Sequence, residues 1–224
     1  TLNNHYTHSW GYSIEPTIHT GLLAMYPGVD AVENGESDFL LSLGVANSVD
    51  PRISGAPAND DRKTFLSGLT WLIPNQFDVL GGTALSVGYV NGRVRTGNTP
   101  VQNLYLATGL PLYNKAWEMA FTYDARMLNG TGNDDSVLGA HVSYAANERA
   151  TWHLRGEWFQ DGDKLFSAES AAEQGDGYGL TATLEYQLWP NTLSRVEWRW
   201  DHTEVRVNDR HNDQSWHLNL IFLF

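Results

Sequence analysis

Ser215-Trp-His-Leu-Asn-Leu-Ile-Phe-Leu-Phe224 forms the C-terminal stretch of this 224-residue chain. Trp216, Leu218, Leu220, Phe222 and Phe224 fall on one parity, and Ser215, His217 and Asn219 on the other. A period of two marks a strand with one apolar face. A bare strand edge in water invites aggregation. A closed sheet in a bilayer has no edge, and its outer face is apolar by necessity.

Ten further strand-like segments precede this one, at 19–26, 38–46, 64–73, 77–90, 102–110, 116–126, 137–145, 151–160, 178–188 and 193–202. Most are about nine to eleven residues long, the length of a tilted membrane strand. The later ones alternate cleanly. In the sixth, Trp117, Met119, Phe121 and Tyr123 oppose Glu118, Thr122, Asp124 and Arg126. In the seventh, Leu138, Ala140, Val142 and Tyr144 oppose His141 and Ser143. In the eighth, Trp152, Leu154 and Trp158 oppose His153, Arg155 and Glu157. The ninth sets Leu180, Leu184 and Tyr186 against Thr181, Thr183 and Glu185, and the tenth sets Val196, Trp198 and Trp200 against Arg195, Glu197, Arg199 and Asp201. No window shows helical periodicity.

Composition agrees with a membrane sheet. No apolar run approaches the roughly 20 residues of a membrane helix. The mean hydropathy of −0.37 suits a barrel, since half of its strand residues face a polar interior. Nine Trp, 10 Tyr and 8 Phe suit aromatic belts at two interfaces. The absence of cysteine excludes disulfides, thiolate metal sites and a Cys nucleophile. The net charge of −12 comes without a basic stripe, so nucleic acid is not an expected partner.

The connections alternate in length. Segments 74–76, 111–115, 146–150 and 189–192 are short; 47–62, 91–101, 128–136, 161–177 and 203–214 are long and polar. Outer-membrane barrels have short periplasmic turns and long external loops. Segment 27–37 breaks the alternation by being long on the short side. Counting back from a last strand that ends in the periplasm, the first would start outside, whereas such barrels normally have an even strand number. An additional upstream strand is therefore expected, either residues 4–12 or a strand before Thr1.

Two resemblances follow. The aromatic end at Phe224 resembles the closing strand of bacterial outer-membrane barrels. Glu15-Pro-Thr-Ile-His-Thr-Gly21, Gly44-Val-Ala-Asn-Ser-Val-Asp50 and Arg195-Val-Glu-Trp-Arg-Trp-Asp201 resemble segments of the putative beta-barrel porin-2 family. Family members usually carry a sizeable region before the Glu-Pro segment, and here only fourteen residues precede Glu15.

The expected fold is all-β: a transmembrane antiparallel up-and-down β-barrel forming one outer-membrane domain over residues 1–224. It would have about twelve strands in this chain, or more if the chain is the C-terminal part of a larger barrel. The resemblance implies a porin of the Gram-negative outer membrane that passes small hydrophilic solutes or ions by diffusion, without catalysis, cofactor or metal. The expected partners are the lipid bilayer and lipopolysaccharide, and the outer-membrane barrel assembly machinery, which would read Trp216, Leu218, Leu220, Phe222 and Phe224. A homo-oligomer or a larger envelope complex is a further expectation. Expected pore-lining residues are Asp124, Arg126, His141, His153, Arg155, Glu157, Glu185, Arg195, Glu197, Arg199 and Asp201. With a turn centred on Pro190, Glu185 should face Arg195, Thr183 should face Glu197, and Thr181 should face Arg199. Opposite charges across strands contribute roughly 0.2–1 kcal/mol per pair and can shape a selective constriction.

Alternatives remain at this level. One is a non-conducting structural or adhesion barrel working through its loops. Another is a barrel enzyme acting on lipid, for which His141-Val-Ser143 is the candidate pair. Such a pair would have to face lipid, and here the apolar parity takes that side. His5, His8 and His19 could hold a metal, but their spacing matches no zinc pattern. The acidic runs Asp134-Asp135, Asp161-Gly-Asp163 and 208–213 read as solvated loop tips. A soluble β-sandwich is the remaining option.

Overall fold

A computed structural model describes the protein except residues 1–3, 18, 29–37, 48–62, 76, 78–79, 94–99, 111, 113, 129–132, 162–174, 206–209 and 223–224. Among the described residues, eleven strands form one sheet in sequence order, every neighbouring pair antiparallel. They are β1 (Gly21–Pro27), β2 (Asp38–Ala46), β3 (Thr64–Leu72), β4 (Ala84–Arg93), β5 (Pro100–Leu110), β6 (Trp117–Leu128), β7 (Asn133–Asn147), β8 (Ala150–Asp161), β9 (Gly175–Trp189), β10 (Thr192–Val205) and β11 (Arg210–Phe222). One short helix, α1 (Trp10–Ile14), precedes them.

Two-residue turns join β7 to β8 and β9 to β10. The Asn147 Oδ1 accepts the Arg149 and Ala150 amides at 2.9 and 3.1 Å. That side-chain bond satisfies amides that the ladder leaves free at a tight turn. The β9–β10 turn holds Pro190 and Asn191, and its register pairs Arg195 with Glu185, Glu197 with Thr183 and Arg199 with Thr181. A bulge between Thr192 and Leu193 shifts the ladder by one residue from the pairing that the turn closes, and the resulting register is centred on Pro190, as the sequence reading assumed.

Three expectations about the segments change. The fourth strand begins at Ala84 rather than Phe77. The described residues between 73 and 83 instead turn the chain, and Ile73 and Gly82 donate to Thr83 O and Ile73 O. Gly82 has φ 81° there, a left-handed conformation that a residue with a Cβ adopts at a cost. The connections 128–136 and 203–214 contract, because β6 and β7 continue to Leu128 and from Asn133, and β10 and β11 to Val205 and from Arg210. β7, β9, β10 and β11 thus run to 15, 15, 14 and 13 residues, beyond the expected span. Finally, residues 4–12 contribute no strand.

The outer face is apolar. Leu138, Trp152, Leu154, Leu180, Val196, Leu218, Leu220 and Phe222 all point away from the rest of the protein and are at least 39 % exposed. Aromatic side chains line both margins of this face. Trp117, Tyr144, Trp152, Tyr186 and Trp189 sit near the short turns, with Trp117 stacked on Tyr144 at 4.4 Å. Toward the other margin, Trp158, Tyr178 and His202 with Trp200 lie in adjacent register rows. Tyr178 and Tyr186 bound β9 eight residues apart, roughly 27 Å of strand at about 3.4 Å per residue. An apolar band between two aromatic girdles is what a bilayer requires of a barrel exterior. Tyr113, in the short segment 111–115, lies outside the described residues, as does Phe224 at the chain end.

Residues 4–17 lie against the opposite, inner face. They climb it from the level of the short turns toward the level of the long loops. His5 meets Thr183, Trp10 meets Asp201, and Ile14 meets Val137 and Phe159. β1 then starts at the long-loop level, where Gly21 pairs with Ala46. Residues 4–17 thus pass from one level to the other along the inner face without forming a strand. β1 and β11 run in the same direction and are the two margins of the sheet.

Candidate functional site

The inner face of β6–β11 carries a ladder of charged and hydroxyl side chains, and the N-terminal segment is fastened to it. Alternation puts these side chains on one face; the segment supplies the polar groups that make their burial tolerable. Glu197 on β10 is fully buried. Its Oε2 accepts the Tyr6 amide at 2.7 Å and the Thr183 hydroxyl at 2.8 Å, and its Oε1 accepts the Thr7 amide at 2.9 Å. His5 Nδ1 lies 2.7 Å from Thr183 Oγ1 and 3.7 Å from Glu197 Oε2. One carboxylate thus gathers two backbone donors that no helix or ladder satisfies.

Arg155 on β8 does the converse, donating to backbone acceptors. Its Nη1 donates to Thr7 O at 3.1 Å, and its Nη2 donates to His8 O at 3.1 Å and to Thr181 Oγ1 at 3.1 Å. Arg155 Nε lies 2.8 Å from Glu157 Oε2, yet neither atom makes an aligned hydrogen bond. The contact is an ion pair by distance only. The other Glu157 oxygen accepts the Trp10 amide at 2.6 Å, at the start of α1. Ser9 caps that helix by accepting the Tyr12 amide at 3.1 Å. Arg199 holds Asp201 through two bonds of 2.6 and 3.0 Å and donates to His8 O at 2.7 Å. Asp201 accepts the Trp10 indole N–H at 2.9 Å. The Arg199 guanidinium also lies 5.1 Å from the Trp10 ring centre, a cation–π geometry.

Above this polar level the anchor becomes apolar. Ile14, Val137 and Phe159 form a buried cluster, with Trp10 packed on it and its ring centre 4.7 Å from that of Phe159. Asn103 on β5 donates to Ile14 O at 2.9 Å. On the β11 side, Tyr6 stacks on His217 at 4.9 Å.

The remaining inward residues pair among themselves or border open space. Arg195 bonds Glu185 at 2.8 Å. Arg126 pairs with Asp135 at 3.2 Å. Asp135 is fully buried on β7, so the reading of Asp134-Asp135 as a solvated loop tip does not hold for Asp135. Of the other acidic runs, 162–163 and 208–209 lie outside the described residues. His141 borders a cavity of about 350 Å3 with Asn4, Glu118 and Ser143. Ser143 bonds His153 Nδ1 at 2.8 Å rather than His141. His153 Nε2 is buried with no hydrogen-bond partner, so this Ser–His pair lacks the orienting acid of a triad. His8 stacks on Tyr12 at 4.0 Å, away from the His5 ring. Asp124 lies against Gly11, where an added Cβ would collide with the carboxylate.

The segment itself was not legible as a functional element. His5, Thr7, Trp10 and Ile14 have no shared period, because each is held by a different strand. The one available signal was negative: residues 4–16 lack the alternation of the eleven strands.

This architecture is an up-and-down antiparallel sheet with one apolar and one charged face and a chain segment packed on the charged one; among the described residues β1 and β11 do not pair with each other. Residues 1–224 match the family described as putative beta-barrel porin-2, OmpL-like, and the chain belongs to that family. The family is one of β-barrel porins, which implies an outer-membrane location. No curated protein and no solved structure matches the chain.

Proposed function

We propose that this protein is a porin-like channel of the bacterial outer membrane through which small hydrophilic solutes or ions diffuse. The observation that carries the reading is the division of the sheet into an apolar outer face and a charge-lined inner face, with a peptide segment narrowing the interior. Asp124, Arg126, His141, His153, Arg155, Glu157, Glu185, Arg195, Glu197, Arg199 and Asp201 set the interior's charge. Some act directly on passing solutes, and those bound to residues 5–14 act by holding the constriction in place. The segment sets the width, and opposed charges set a field that favours polar solutes over apolar ones. The acidic balance of the chain, −12 overall, favours cations at the mouths.

The apolar outer face fits a bilayer with lipopolysaccharide in its outer leaflet. Trp216, Leu218, Leu220 and Phe222, all facing outward, with Phe224 after them, would be the strand recognised by the barrel assembly machinery. Planar-bilayer recordings of the refolded protein test the channel. Discrete conductance steps with a cation preference are expected; silence, or a clear anion preference, would refute the reading as stated. A second reading is favoured by the fastening of residues 5–14: a closed structural barrel. In that case conductance should appear only after the segment is released.

A further inference from the structure

The inner face of the sheet is chemically lopsided. Between its ends, the inward register positions of β1–β5 hold no Asp, Glu, His, Lys or Arg. They carry residues such as Leu23, Ser42, Gly44, Leu66, Gly68 and Gly88. Between this neutral surface and the N-terminal segment lies a cavity of about 410 Å3. Ile14 and Leu66 contribute apolar surface, Tyr105 an aromatic ring, and Glu15 and Asp124 two carboxyl groups.

Those two carboxyl groups lack a counter-cation. The Asp124 and Glu15 side chains are within hydrogen-bonding reach of each other. Asp124 is only 4 % exposed, and its Oδ1 has no hydrogen-bond partner. The neighbouring inward cations are engaged elsewhere, Arg126 with Asp135 and Arg155 with Glu157 and the Thr7 and His8 carbonyls. Among the described residues, no Lys or Arg bonds either carboxyl group. A buried carboxyl group whose side-chain partner is a second carboxyl group is costly to ionise, and here both border space that a ligand can enter. Mostly apolar walls with a few convergent polar groups are the usual make-up of a small-molecule site.

We propose that this cavity binds a small organic cation, an ammonium or guanidinium head on a short apolar body. The head sits between Glu15 and Asp124, and the body lies over Leu66, Gly68 and the Tyr105 ring. The site rests on the channel reading for how the ligand arrives, but not for binding itself.

Calorimetry on the detergent-folded protein, with n-butylammonium as the probe, tests this. Saturable binding is expected. Asp124→Asn should weaken it at least about tenfold, since a charge-assisted hydrogen bond is lost. Glu15→Gln, on the segment rather than on a strand, should do the same and covers the case in which Asp124→Asn fails to fold. Glu118→Gln, toward the short-turn end of the same strand, should bind like the parent. Three results would overturn the proposal: no binding, equal binding of butan-1-ol, or binding unchanged by both site substitutions. Full displacement by an equal concentration of potassium would overturn it as well, leaving an inorganic cation only. Binding without conductance would sink the channel reading alone, and conductance without binding would sink this one alone.

Discussion

The inner faces of β6–β10 and of β1–β5 are built from the same alternation and do opposite things. On β6–β10, most inward positions from Asp124 to Asp201 are charged or hydroxylic, with Val137, Gly139, Phe159, Gly177 and Gly179 among the exceptions, and the strands hold residues 5–14 against them. On β1–β5 the inward positions are small, aliphatic or hydroxylic, and the segment touches them mainly through Asn103. The charged half therefore fixes the segment, and the neutral half leaves a cavity beside it. Charge inside a barrel need not face the passing solute. Much of it here is spent on a backbone that has no ladder of its own.

Breaking the charged half should have the largest effect. Arg155→Ala leaves Glu157 buried and removes three donors to Thr7, His8 and Thr181. A loss of about 3–5 kcal/mol is expected from one stranded buried charge, read as a lowered midpoint in a urea titration followed by Trp fluorescence. Glu197→Gln keeps the shape but loses the charge that accepts two amides. A cost of about 2 kcal/mol is expected. It should show as chymotryptic cleavage near Tyr6 and Tyr12 in a protein whose sheet remains folded, and as a rise in conductance. Cleavage at the parent rate would argue that Glu197 does not hold the segment. Ser9→Ala removes the cap of α1 and should cost about 1 kcal/mol or less, visible as slightly faster amide exchange at Tyr12 with the sheet unchanged. Gly109→Lys places a charge on the neutral half where a Cβ meets nothing within 4 Å. Stability should change by no more than about 0.5 kcal/mol, while the reversal potential in a salt gradient moves toward anions. A large loss of stability would show that the neutral half is more closely packed than its open space indicates.

Legibility followed the range of the interactions. The faces of β8–β11 could be read almost residue by residue, because alternation sets them, and the short β9–β10 connection centred on Pro190 placed Glu185 opposite Arg195. β4 was harder. Phe77 and Leu80 continue the apolar pattern past the point where Gly82 turns the chain, and the turn is held by backbone bonds that composition does not announce. The long connections on the outside were overstated, since polar residues at strand ends, such as Asp135, are paired on the sheet rather than solvated.

Residues 4–16 mark the boundary most clearly. As sequence they were one of two ways to supply a missing crossing, with a strand as the assumed form. In the structure they are a segment lying along the inner face rather than a strand, and that gives Arg155, Glu157, Glu197 and Arg199 their partners. The sequence alone determined an all-β membrane sheet, its two faces and the register of β9 against β10, since these depend on period and on the short connection at Pro190. Only the tertiary structure decided what the inward charges hold. Their partners lie about 150 to 190 residues away along the chain, and contacts of that range leave no local period to read.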